Sequence, residues 1–208
     1  MSITHRHVIA EGTNMDRREV LRLLTGVLAL PALHGLTAEE AFAMGRELHR
    51  AIAREPGPGR VLTDEQLRTV AAIVERIIPR TDTPGAADAR VPEFIDLMLA
   101  DWYGDVERTR FLDGLVQIDG RSRSRHGGPF LQLTEPQQSA LLLEADAEVQ
   151  ALRAAGAPTG GHFFQQLKWL TVHGYYTSEP GVRQELLWTV STSYDPCRAY
   201  VPRTIGGL

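Results

Sequence analysis

From Leu62 onward, apolar side chains recur every three or four residues with polar residues between them, the pattern of helices that each bury one face. The first stretch carries Leu67, Val70, Ala71, Val74, Ile77 and Ile78. Its start lies in Leu62-Thr63-Asp64-Glu65-Gln66-Leu67. Thr63 is placed as an N-cap, Gln66 completes a capping box, and Leu62 and Leu67 are spaced for a hydrophobic staple. Pro79 stops the helix. The loop "PRTDTPGAADARVP" follows, too rich in Pro, Gly and Ala for a strand. Pro92 can open the second helix at its first position, with Phe94, Ile95, Met98, Leu99 and Trp102 on the apolar side.

A third helix runs from about Val106 to His126 and ends at Gly127-Gly128, with Phe111, Leu112, Leu115, Val116 and Ile118 as core contacts. A fourth opens at "LTEPQQ" with the same Thr-x-x-Gln device and continues through Leu141, Leu142, Ala145, Val149 and Leu152 to Gly156. The likeness of the two openings stops at the caps, so it is shared helix-start chemistry rather than an internal repeat. A fifth turns Phe163, Phe164, Leu167 and Leu170 inward and is expected to end at Gly174. "VRQELLWTV" forms a last helix before an irregular tail. No convincing period-two run occurs. The expected fold is all-α, an irregular single-domain bundle of about five to six helices with an extended C-terminal tail.

Ahead of the bundle the pattern changes. Arg17-Arg18 precede an apolar run from Leu23 to Leu33 that Thr25, Gly26 and Pro31 interrupt. A membrane-spanning helix needs about 20 apolar residues, so this run suits the h-region of an export signal. The arginine pair looks like a twin-arginine signal; the competing reading is an amphipathic surface helix. Ala41-Phe42-Ala43 supplies an A-x-A cleavage site, although Glu39 and Glu40 are unusual before one. Met15 is an alternative start, giving the leader a more ordinary length. The resulting division is a leader over residues 1–43, a linker over 44–61, a helical domain over 62–193 and a partner-binding tail over 194–208.

Composition sharpens this picture. Setting the leader aside leaves about 160 of 208 residues, enough for one core without disulfides or a structural metal. A net charge of −4 and a pI near 6.0 argue against a nucleic-acid partner. The local basic cluster Arg121, Arg123, Arg125 and His126 reads as a solvated helix end, where cations are favoured. The single cysteine, Cys197, has no internal partner. In an oxidising compartment it forms an intermolecular disulfide or stays a free thiol; the bland alternative is a small buried hydrophobe.

The search for chemistry returns little. The chain holds no G-x-G-x-x-G, P-loop, C-x-x-C, H-E-x-x-H or Glu-x-x-His. His49, His126, His162 and His173 are widely spaced. A lone histidine near a helix end, as His173 is expected to be, reads as a hydrogen-bonded or capping residue rather than a metal ligand. No catalytic, cofactor-binding or metal-binding residue is assigned. A stand-alone exported enzyme using Cys197 or an unrecognised metal site is the alternative. Twin-arginine export moves folded cargo, often cargo already carrying a cofactor, yet no cofactor motif is present. One solution is a second protein that holds the cofactor and travels with this chain. Aromatic residues favour interfaces, and Tyr175, Tyr176, Tyr194 and Tyr200 are the interface candidates; Trp169 and Trp188 are expected in the core.

On "LTDEQLRTVAAIVERIIPRTDTPGAADARVPEFIDLML" (Leu62 to Leu99) and "FFQQLKWLTVHGYYTSEPG" (Phe163 to Gly181), together with the arginine-pair leader and the cysteine-bearing tail, the chain resembles the gluconate 2-dehydrogenase subunit 3 family. The resemblance implies a small, gamma-type subunit of an exported flavin-dependent sugar or sugar-acid dehydrogenase complex. It implies a larger catalytic partner of the glucose–methanol–choline type that binds FAD, and a multihaem cytochrome c that takes electrons onward and ties the complex to the membrane. The small subunit would assist maturation of the flavoprotein and carry it through the twin-arginine translocase to the periplasm, with Arg17 and Arg18 as its signal. The tail would lie along the partner and Cys197 would form a disulfide to it. The leader departs from the family pattern in Asp16, Glu19 and the extension before Met15.

Overall fold

Each helix start that the sequence marks with a threonine cap is a helix start in the computed structural model, which describes residues 35–185 apart from 55, 56 and 58. Among the described residues six α-helices follow one another: α1 (Ala38–Arg54), α2 (Asp64–Ile77), α3 (Val91–Asp101), α4 (Asp105–His126), α5 (Glu135–Ala154) and α6 (Phe163–Thr177). A short 3-10 turn, Phe130–Gln132, precedes α5, and a π turn, Gly181–Glu185, follows α6. No strand occurs among the described residues. The all-α expectation holds.

α2 begins as its sequence requires. Gln66 N donates to Thr63 Oγ1 at 3.3 Å and Thr63 N donates to Gln66 Oε1 at 2.9 Å, so two otherwise orphaned amides are satisfied. Gln137 Oε1 likewise accepts from Thr134 N at 3.0 Å at the head of α5. Residues 60–62 are held by Asp96 of α3, whose carboxylate accepts from Arg60 N, Val61 N and Leu62 N at 2.6, 3.0 and 2.7 Å. The end of α3 is closed by Arg108, which donates to the carbonyls of Leu99 and Tyr103 at 2.8 and 2.9 Å.

The structure corrects several local readings. Residues 38–54, divided by sequence between the leader and a linker, form α1, which packs on α6, α3 and the core. Its opening, Leu36-Thr37-Ala38-Glu39-Glu40, is a third Leu-Thr-x-x-Glu/Gln start. Pro92 is the second residue of α3, one place later than expected, because Arg90 is the N-cap. Trp102 is 41% exposed, and Val116 is 66% exposed rather than in the core. The buried stripe of α4 is Phe111, Leu115, Ile118 and Ser122; Val116 stands a helical step, about 100°, beyond Leu115.

α6 does not end at Gly174 but runs on to Thr177. Glycine there answers to packing: a Cβ would lie 2.8 Å from the Phe94 ring. Gly45 on α1 plays the same part, since a Cβ there would meet Thr177 Cγ2 at 2.6 Å. With both neighbours so close, α6 is buried on every side from Phe164 to Thr177 and forms the axis of the domain.

Candidate functional site

An axial helix buried all round must accommodate its polar residues, and α6 does so for several of them in two ways. Lys168 donates to Asp146 of α5 at 2.6 Å, both side chains 8% exposed. Thr171 and Thr177 donate back to the carbonyls of Leu167 and His173, each at 2.7 Å. His173 has no such resolution. Its ring meets Phe94 edge-on at 5.5 Å, and its buried Nε2 has no hydrogen-bond partner. Burial, and then the neighbouring His49, push its pKa down to about 4, so the ring is neutral at neutral pH. The sequence-based expectation of a hydrogen-bonded His173 therefore fails at that nitrogen. His49 of α1 stacks on Phe94 at 5.1 Å and donates through Nε2 to Gly174 O at 2.7 Å. Burial lowers its pKa as well.

Tyr175 and Tyr176, expected at a partner interface, lie inside the chain's own core, 0% and 2% exposed. Their rings pack edge to face at 5.2 Å. The Tyr175 hydroxyl donates to Pro84 O at 2.9 Å, across 91 residues. It thereby joins the two segments that carry the family resemblance. Trp169 is in the core as expected.

The loop that Tyr175 holds is clamped from several sides. Glu75 accepts from Arg80 N and Ala87 N at 2.8 and 3.2 Å. Ala86 is buried and its amide donates to Ile78 O at 2.9 Å. Arg80 pairs with Asp88, which also accepts from Gly85 N at 3.1 Å. The tip, Pro79 to Asp82, remains exposed. A preorganised exposed loop on a rigid scaffold is suited to recognition, because little conformational freedom remains to be lost on binding. Arg90, next in the chain, has the left-handed φ of 59°, a conformation that costs a non-glycine residue about 1–3 kcal/mol. Its guanidinium donates to Glu93 Oε1 at 3.1 Å and to Ile52 O, in the last turn of α1, at 3.0 Å.

A cleft of about 420 Å³ opens between α4, α5 and the start of α6. Arg121 grips Glu148 with two bonds of 2.6 and 3.1 Å, and His162 Nε2 reaches the same carboxylate at 3.4 Å. The Arg121 bond holds Glu148 below the usual carboxylate range. Arg110 and Asp113 lie a turn apart on its wall, with the Phe163 ring packed on Gly114 beneath them. The lining holds no serine or cysteine, and its imidazole leans on a carboxylate already taken by arginine. Among the described residues no three His, Cys, Asp or Glu side chains are grouped to hold a metal ion, and no helix is long and apolar enough to cross a membrane.

The basic cluster on α4 is largely paired: Arg121 with Glu148, Arg123 with Asp119 at 2.8 Å, and Arg125 with Glu144. Arg17, Arg18, Trp188, Tyr194, Cys197 and Tyr200 lie outside the described residues. Sequence reasoning missed Arg90, His49 and the Glu75 clamp. Only His49 left a usable signal, through the Leu-Thr-x-x-Glu start that makes its segment a helix.

These contacts define a small all-α domain built on one buried helix and bearing a fixed surface loop. Comparison with protein-family models places it further: the model of gluconate 2-dehydrogenase subunit 3 matches residues 64–192, and the chain belongs to that family. The family is named for a subunit of a dehydrogenase, so the chain stands among dehydrogenase-complex subunits. No match was found among the curated proteins or the solved structures.

Proposed function

We propose that this chain is the non-catalytic small subunit of an exported FAD-dependent sugar or sugar-acid dehydrogenase. In this reading it binds the glucose–methanol–choline-type catalytic subunit, assists its maturation and carries it through the twin-arginine translocase to the periplasm. A multihaem cytochrome c then takes the electrons and holds the complex at the membrane. The observation that carries the reading is a body matched to gluconate 2-dehydrogenase subunit 3 on the same chain as the Arg17-Arg18 leader. The clamped loop at Pro79–Asp82 and the cleft beside Arg110 supply rigid surfaces for the flavoprotein. Cys197, in the tail, forms the disulfide that closes the pair, making the tail's attachment effectively intramolecular.

The test is co-expression with the flavoprotein. Arg17→Lys with Arg18→Lys is expected to leave both proteins in the cytoplasm and to abolish periplasmic sugar oxidation. Non-reducing electrophoresis should show a heterodimer band that Cys197→Ser removes. Export of the flavoprotein without this chain, or sugar oxidation by this chain alone with its own flavin, overturns the reading.

A further inference from the structure

Export of a folded chain makes one position answerable to the fold, the place where the leader ends. The sequence offers a cut after Ala43, at Ala41-Phe42-Ala43. In the folded chain those residues belong to the first turns of α1, with Ala41 only 4% exposed. The helix has a genuine start just before them. Thr37 Oγ1 accepts from Glu40 N at 3.2 Å, and Glu40 Oε2 accepts from Thr37 N at 2.8 Å. Ala41 N closes the first helical bond onto Thr37 O at 3.0 Å, and Leu36 packs against the core. Glu39 and Glu40, out of place before a peptidase cut, are in place here. Both are first-turn acids facing the positive end of the helix dipole, and Glu40 is half of a capping box.

Docking then fixes this helix at three heights. Near its middle, Gly45 lets it approach Thr177 closely. One turn on, His49 donates to Gly174 O at 2.7 Å, and at the C-terminal end Ile52 O accepts from Arg90. A peptidase takes its substrate as extended backbone. Presenting the Ala43–Met44 bond that way would unwind residues 38–43, break the cap and draw Ala41 out of the core.

The geometry points to a processing boundary N-terminal to Leu36: docked α1 shields the Ala43–Met44 bond, so the mature chain keeps Leu36 and everything after it. α1 thus belongs to the delivered domain rather than to the leader. The inference rests on the export reading above, because export after folding is what presents the peptidase with a formed α1. Cleavage after Ala43 would add one water across the peptide bond, leaving a carboxylate on Ala43 and a new amino terminus at Met44. That terminus is what the experiment seeks.

Two arms separate this inference from export itself. In the first, the chain recovered from the periplasm with its flavoprotein is weighed by intact mass spectrometry. In the second, the full chain purified from the cytoplasm is incubated with signal peptidase in detergent micelles, which needs no export. No Met44 terminus is expected in either arm. Gly45→Leu forces a side chain onto Thr177, and the milder His49→Ala removes the bond to Gly174. By easing local opening of α1, each should expose the site, His49→Ala speeding cleavage about tenfold. A Met44 terminus in the unaltered chain overturns the proposal. Equal resistance of both variants also overturns it, since docking would then not be the shield. A chain that stays in the cytoplasm yet resists the peptidase until α1 is loosened would sink the export reading and leave the shielding intact.

Discussion

α4 and α6 use similar residues to opposite ends. α4 is the longer, 22 residues against 15, and buries a single stripe. Its charges pair at the surface, as Arg123 does with Asp119, with side chains 57% and 33% exposed. α6 is enclosed on all sides, and its one lysine pairs with Asp146 where both are 8% exposed. An exposed pair contributes about 0–1 kcal/mol, because water and salt screen it and side-chain entropy opposes it. A buried pair is not strongly stabilising against apolar replacement, yet breaking it strands a charge away from water. On this fold, polar chemistry therefore matters where the helix cannot turn it to solvent.

The largest effect is expected from breaking that difference at Lys168. Lys168→Met leaves the Asp146 carboxylate buried without its ammonium partner and should destabilise the domain by about 3–5 kcal/mol. Adding Asp146→Leu should recover most of the loss, because the stranded charge goes with it. Urea unfolding of the two variants and the parent decides the point. Equal losses in the single and double variants would show that packing around Lys168, not the charge pair, is what matters.

Next in size is the pH response of α6. His173 stays neutral in the folded chain down to a pKa of about 4, whereas an unfolded histidine takes its proton near 6.5. Below 6.5 the unfolded state therefore binds more protons, and stability falls as pH falls. The loss begins near pH 6.5, is complete near pH 4 and amounts to about 3 kcal/mol for this residue. His49, lowered in the same direction, adds to it. Glu93 opposes the shift of His49 and Arg90 reinforces it. Urea midpoints measured from pH 7.5 to 4 should drop steeply in the parent and less in His173→Leu.

Much of this contrast was legible in the sequence. The stripes of α2 and α5, their threonine caps and the inward Phe164, Leu167 and Leu170 follow from periodicity and end chemistry that act within a few residues. The misses share a cause. Gly174 reads as a terminator to any local rule, and only the Phe94 ring lying against it explains a glycine inside a helix. Tyr175 and Tyr176 read as sticky aromatics, because nothing nearby announces Pro84 as the hydroxyl's partner 91 residues away. α1 was hidden for another reason: the small residues of Ala41-Phe42-Ala43 fit a cleavage site and a helix turn equally well, and the helix start at Thr37 and Glu40 is the signal that shows the turn.

Tyr175 allows a finer comparison between filling space and holding a loop. Tyr175→Phe keeps the ring and removes the donor to Pro84 O. It should cost about 1 kcal/mol, the usual net worth of a hydrogen bond, with more if the carbonyl is left dry. If the bond positions the loop, amide exchange should quicken from Arg80 to Ala87 while α2 and α5 keep their protection. A uniform rise across the domain would instead mark Tyr175 as ordinary core.

The smallest effects belong to the outer face of α4, and their smallness is the sharpest check on the comparison. Val116→Ser and Arg123→Ala each alter a side chain that the fold turns to solvent, and neither touches a cap or the buried stripe. Each should change stability by no more than about 0.5 kcal/mol. The two differ in what salt does to them. The change at Arg123 should shrink as salt rises, since it removes one side of a screened pair, whereas the change at Val116 should not respond. Thermal melts of both at low and high salt read this directly. A loss at Val116 approaching that of a core residue would mean that this face is covered in the folded protein, and that α4, like α6, is enclosed.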